Sequence, residues 1–206
     1  MIPPLAWPLL TLLVLPLGWI EFKLLEKTRW GILLALLTVA ALYGPWVMAI
    51  RGSPHRFEPG LHTMAGLGLA LVALYLWAAA APLILRDRGQ IKTMPQALVT
   101  AGPYRWTRHP LYVGHVLFIG GAVLASGAWE VFLMTPILWV IAAITGSYEE
   151  RSRLQPLFGE TFRLYQEQTP LLLPKWTWVL WGIIYGAVLV RTIFGSAAHL
   201  PFLTLV

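Results

Sequence analysis

Charge is almost absent from long stretches of this sequence, and that pattern restricts the fold more than any other feature. Pro3–Ile20, Trp30–Ile50 and Leu61–Leu85 contain no Asp, Glu, Lys or Arg; Trp176–Phe194 contains only Arg191, and Val113–Ser147 only Glu130. A helix needs about 20 apolar residues to cross the hydrocarbon core. Backbone polar groups must be satisfied within the bilayer, so helices are the plausible spanning element here. Four of the runs read as one span each. Val113–Ser147 is too long for one, and Ser126–Gly127 supplies a turn, so it reads as a hairpin of two short helices. The expected fold is all-α, a polytopic membrane bundle of six transmembrane helices. As one membrane domain over 1–206, it comprises a three-span part (1–85), a core (86–175) holding the hairpin and its polar flanks, and an extra span (176–206). Composition agrees, at 58% hydrophobic and 12% charged, about half the charge of a soluble domain. Residues 1–20 read as a retained span, because no Lys or Arg precedes them and no small-x-small cleavage site follows.

Orientation follows from the basic residues. With the N-terminus outside, segments 21–29, 86–112 and 148–175 lie inside. They hold Lys23, Lys27, Arg29, Arg86, Arg88, Lys92, Arg105, Arg108, Arg151, Arg153, Arg163 and Lys175, twelve of the 15 Lys and Arg residues. The positive-inside rule makes that side cytoplasmic and puts both termini outside. The net charge of +6 is thereby assigned to membrane orientation, and no nucleic-acid partner is expected. Eleven Trp suit the two interfaces. The absence of Cys excludes disulfides, thiolate metal sites and cysteine nucleophiles. Channels and transporters place charged groups near the midplane, whereas the long spans here carry only Arg191 near one end and His62 at an edge. The chemistry is therefore expected at the cytoplasmic face.

Two polar segments flank the hairpin, Leu98–Gly114 before it and Glu149–Gly159 after it, and the reversal of the chain makes them neighbours. Gly102-Pro103 makes a turn, and Pro110 suits the first position of a helix with His109 near its cap. Free N–H groups at such a start attract anions, and Arg105 and Arg108 add charge that suits a carboxylate or phosphate. Read without a partner segment, the same residues are interface anchors and a cap. Glu149 and Glu150 raise each other's pKa unless a cation joins them; Arg153, four and three residues on, allows a local helical pair. Phe158, Phe162 and Tyr165 recur at helical spacing after Pro156, giving a short amphipathic helix on the membrane surface, either a lid or simple packing.

At these residues the chain resembles the isoprenylcysteine carboxyl methyltransferase and phospholipid methyltransferase superfamily. The shared pattern is Leu98-Val-Thr-x-Gly-x-Tyr104, then Arg108-His-Pro-x-Tyr112-x-Gly114, followed by Glu149-Glu-x-x-x-Leu154, Phe158-Gly159, Tyr165, Pro170 and Pro174. The resemblance covers roughly residues 85–175. It implies a helical membrane enzyme that transfers methyl groups from S-adenosylmethionine without a Rossmann sheet, and this sequence has no Gly-rich strand–helix fingerprint. It further implies that Val99, Gly102, Tyr104, His109, Tyr112, Gly114 and Glu149 hold the cofactor. Glu150, Arg153 and Arg108 are then the catalytic candidates facing a lipid or lipidated acceptor. Which glutamate serves which ligand stays open. Phe162 departs from the tyrosine usual after Phe-Gly, and a sixth span replaces a free cytosolic tail. No metal is expected: His109 and His115 fall on different helical faces. Two rivals remain, an NADPH-dependent membrane reductase related to sterol reductases, with Arg86, Arg88 and Lys92 for the 2′-phosphate, and a non-catalytic scaffold or transporter.

Overall fold

The computed structural model describes residues 3–24, 31–88 and 97–197, with some helix residues described by backbone alone. The described residues are helical throughout their regular structure, as the apolar runs require, and contain no strand. They fall into two compact units, 1–172 and 173–206. In the second, α8 (Thr177–Ala197) begins with the Thr177 hydroxyl donating to the Pro174 carbonyl at 2.7 Å.

The first unit opens differently from the expected α-helical span. Pro4–Leu13 is a 3₁₀ helix, and only Val14–Leu24 is α-helical (α1). Pro8 stands inside the 3₁₀ stretch, where it removes a backbone donor and its ring crowds the preceding turn. The next helices are α2 (Gly31–Gly52) and α3 (Leu61–Arg88). The hairpin is present. Its first arm is α4 (Pro110–Ala125), its tip turns at Gly127 with φ +71, a left-handed conformation that glycine adopts without steric cost, and its return is α5 (Trp129–Phe132) and α6 (Pro136–Glu149). Glu130, the one charge in this run, pairs with His55 at 2.7 Å.

The core of this unit centres on α3 against α4, its most extensive helix pairing. A Cβ on Gly66 would lie 2.4 Å from the Gly121 carbonyl oxygen, and one on Gly121 would lie 2.6 Å from that of Gly66. The backbones therefore touch where both residues lack side chains, the device by which helices associate closely in lipid. In the same unit Trp46, Phe132, Val113, Val123 and Leu138 are fully buried.

After α6 the chain does not break at Pro156. One π-helical turn, Glu150–Leu154, leads into α7 (Gln155–Gln168), with Pro156 in its first turn and a kink at Gly159, whose φ of +50 is left-handed. Proline has no N–H to give to the helical ladder, and a widened turn of this type recurs at functional sites. Of the three aromatic residues at helical spacing, Phe162 and Tyr165 are buried and Phe158 is half-buried. Among the described residues two helices are long and apolar enough to cross a membrane, Leu61–Leu83 and Trp129–Gln168. Pro4–Ile20, Leu36–Gly52, Pro110–Ala125 and Thr177–Val190 are shorter apolar helices.

Candidate active site

Both polar segments end at the same edge of the hairpin. Pro110 opens α4 and His109 is its N-cap residue, but the imidazole does not cap the helix. Instead its Nε2 lies 3.0 Å from Oε1 of Glu150, across the start of the π-helical turn. The neighbouring Arg108 forks onto the same carboxylate, Nε to Oε1 at 2.6 Å and Nη2 to Oε2 at 3.2 Å. Gln166, one α7 residue among these contacts, donates to Oε2 at 2.9 Å. The remaining arm of Arg108 donates to the carbonyls of Gln166 and Thr169, closing the C-terminal end of α7. Charge-assisted bonds of this kind are about twice as strong as neutral ones.

Glu150 is only 5% exposed. Burial by itself would push its carboxyl up, but the hydrogen bonds from His109, Arg108 and Gln166, with the Arg108 charge, outweigh burial and hold it down at about 2. For Glu150 the condition set by the adjacent glutamates is met by Arg108, forty-two residues away in sequence. Arg153 lies exposed on the π-helical turn. Glu150 has both oxygens engaged and a strongly depressed pKa, the properties of a brace rather than of a proton acceptor. Arg108 is likewise committed to Glu150 and to backbone carbonyls. Arg105 is exposed.

Glu149 is different. Its side chain is 26% exposed, its Oε2 accepts from the Tyr112 hydroxyl at 2.8 Å, and His109 Nδ1 stands 3.6 Å away. Tyr112 stacks on His109, with ring centroids 5.2 Å apart and planes 12° from parallel. One imidazole therefore touches both glutamates, one through each nitrogen. Gly146 makes room for it: a Cβ there would lie 3.0 Å from His109 Cδ2. Tyr104 is buried on the 3₁₀ turn Gly102–Arg105, and its carbonyl accepts from Tyr165 at 2.6 Å. Burial, and then the Glu149 carboxylate and Tyr165, push the Tyr104 hydroxyl up. A second strap ties the block down, Arg108 N–H to the Pro170 carbonyl at 3.0 Å and the Thr107 hydroxyl to the Leu171 carbonyl at 3.2 Å.

Of the residues singled out from sequence, Arg108, His109, Tyr112, Glu149 and Glu150 form one contiguous network, with Tyr104 beside Glu149. Val99 is half-buried and Gly102 exposed, on the stretch leading into the 3₁₀ turn. Gly114 is not part of the group: it is buried against Trp77 of α3, where a Cβ would lie 2.4 Å from the indole nitrogen. Gln166 and Gly146 were not singled out, and no pattern in the sequence marks them. Lys92 and the side chains of Arg86 and Arg88 lie outside the described residues.

A family model described as Phospholipid methyltransferase matches residues 61–161, just under half of the chain. Protein-S-isoprenylcysteine O-methyltransferase of Mus musculus is 34% identical over 90 residues, covering 40% of this chain and 29% of that protein. The Homo sapiens protein of the same name gives the same identity and coverage. Methanethiol S-methyltransferase of Crocosphaera subtropica is 32% identical over 80 residues, 39% of this chain and 30% of that protein. The chain thus spans less than a third of the length of these relatives. No solved structure matches.

Proposed function

We propose that this chain is a membrane S-adenosylmethionine-dependent methyltransferase acting on a lipid-like acceptor, a reading supported by the match of residues 61–161 to the Phospholipid methyltransferase model and by the similarity to the two methyltransferases above. The observation that carries the proposal is the His109 imidazole set between Glu149 and Glu150, since it joins the two sequence blocks that the superfamily shares. In this reading the chain has six spans. Segments 86–112 and 148–175 are cytoplasmic, and both termini are outside, in keeping with the distribution of Lys and Arg.

The residues fit the cofactor in charge and hydrogen-bonding type. When bound, S-adenosylmethionine supplies a methyl group already activated on a sulfonium centre. Glu149, partly open and with Oε1 not engaged by Tyr112, accepts hydrogen bonds from the donor's ammonium or hydroxyl groups. Tyr112 and His109 hold that carboxylate in place, and the backbone of Val99–Gly102 completes the binding surface. Glu150 and Arg108 act at one remove, by fixing the imidazole. Arg153, exposed on the adjoining turn, meets the acceptor at the water boundary. An activated donor leaves the protein mainly alignment and water exclusion to provide, which suits a site built from a rigid ion-paired brace. A carboxylate acceptor would need no base.

Binding of radiolabelled S-adenosylmethionine to the purified chain in nanodiscs tests this. The unmutated chain should bind, and His109→Ala and Glu149→Gln should each weaken binding at least tenfold. Undiminished binding in both variants rejects the site. Incubation with labelled cofactor and total membrane lipid, followed by mass analysis, then identifies the acceptor.

A further inference from the structure

Gln166 stands sixteen residues after Glu150, yet its side-chain amide lies 2.9 Å from Glu150 Oε2. Along a straight helix sixteen residues advance about 24 Å, far beyond the reach of two side chains, so the chain has to turn back in between. Gly159 is where it does so. Its φ of +50 and ψ of −122 are non-helical and suit glycine alone. They divide α7 into a short run after the π-helical turn and the segment 160–168, which returns to the site. A Cβ at Gly159 would meet nothing within 4 Å, so the need for glycine comes from its own backbone and not from a neighbour.

The returning residue grips both members of the buried ion pair. An ionised carboxylate only accepts, so the Gln166 amide turns its nitrogen to Oε2. The Gln166 backbone carbonyl accepts from Arg108 Nη1 at 3.2 Å. The helix that delivers it is anchored, with Tyr165 tied to the Tyr104 carbonyl and Phe162 fully buried. On Oε2 the other donor is the longer arm of the Arg108 fork, at 3.2 Å against 2.6 Å on Oε1. Gln166 is thus the closer donor to that oxygen. Oε1 is the atom 3.0 Å from His109 Nε2, and the other imidazole nitrogen faces Glu149. Because the amide is neutral, it steadies Glu150 without adding a positive charge beside Glu149, where the proposed function seats a cationic donor.

We propose that Gln166 is a positioning residue for methyl transfer: carried back by the break at Gly159, it locks the Glu150 carboxylate in the orientation that sets His109 against Glu149. The consequence for donor affinity rests on the methyltransferase reading; the control of His109 by Gln166 does not. Without the amide, Oε2 keeps only its longer bond, the carboxylate swings towards Arg108, and the imidazole loses a fixed partner. Glu149 then has to be organised by the donor itself, and that ordering weakens binding.

The test uses the full chain in nanodiscs, with S-adenosylmethionine binding read by equilibrium dialysis and each variant compared with the unmutated chain at the same pH. Gln166→Leu, which keeps bulk and removes the donor, should bind at least fivefold more weakly at both pH 8 and pH 5. Gln166→Glu should be as weak at pH 8 but recover to within twofold at pH 5. Its carboxyl donates to Oε2 only when protonated, and the neighbouring carboxylate makes it hold that proton more firmly. A residue that merely filled space would give losses independent of pH. Gly159→Ala should weaken binding as Gln166→Leu does, and the double variant should stay within twofold of the weaker single one, since both act through one contact. Binding by Gln166→Leu within twofold, a Gln166→Glu loss equal at both pH values, or multiplied losses in the double variant overturns the proposal. Should Gln166→Leu not fold, Gln166→Glu at the two pH values decides alone. Should the unmutated chain not bind S-adenosylmethionine, the methyltransferase reading fails instead. The His109 signal of ¹⁵N-histidine-labelled protein, assigned by its absence from His109→Ala, then judges this one: it should shift in Gln166→Leu and, in Gln166→Glu, at pH 8 only.

Discussion

Replacing Glu150 by alanine removes the anion on which three side chains converge, and its cost can be worked from the geometry. The Arg108 side chain is 11% exposed and would be left with two carbonyls and no counter-charge. Stranding a buried charge in this way costs about 3–5 kcal/mol, with little relief from solvent. His109 and Gln166 lose their acceptors as well. At roughly 2–4 °C per kcal/mol for a chain of this size, the unfolding midpoint should fall by about 6–20 °C. Thermal unfolding in detergent micelles, followed by tryptophan fluorescence, measures it. Arg108→Ala should cost a comparable amount, and the double variant much less than the sum of the two, because removal of both partners leaves no orphan charge. Additive losses, or a midpoint that moves by less than about 2 °C in Glu150→Ala, would refute the view that this pair braces the site.

Three further outcomes follow from the same structure. Because the Glu150 carboxyl lies at about 2 in the folded chain and 4.5 otherwise, its stabilisation is present above pH 4.5 and is lost as pH falls towards 2. Urea midpoints should decline through that window in the unmutated chain and show a shallower decline in Glu150→Gln. Gly121→Val should part α3 from α4 and cost on the order of 1–3 kcal/mol by overpacking, read as a lower thermal midpoint, while Gly120→Ala, where a Cβ meets nothing within 4 Å, should be close to neutral. Gly146→Val should press on the His109 ring and weaken S-adenosylmethionine binding several-fold by equilibrium dialysis with a smaller effect on the thermal midpoint; unchanged binding would show that the imidazole need not sit between the glutamates.

Much of this was readable without coordinates. Long uncharged runs determine that the chain is helical, because an unpaired backbone polar group has no partner in hydrocarbon. The turn at Ser126–Gly127 and the spacing of Phe162 and Tyr165 likewise predicted the hairpin and α7, since both depend on local chain geometry. Residue types in the two polar segments singled out His109, Tyr112 and the paired glutamates, which the structure brings together. Tertiary structure alone decided the roles among them. Glu149 and Glu150 both keep ordinary helical backbone angles and, as consecutive residues of a helix, point in different directions, so one becomes a buried anion held by Arg108 and the other stays partly open. Helical spacing had offered Arg153 as the cation, because sequence arithmetic counts only neighbours on one helix and cannot see Arg108 arriving from another. Gln166 and Gly146 escaped for the same reason. Their significance lies in distances between helices, which packing sets and periodicity does not.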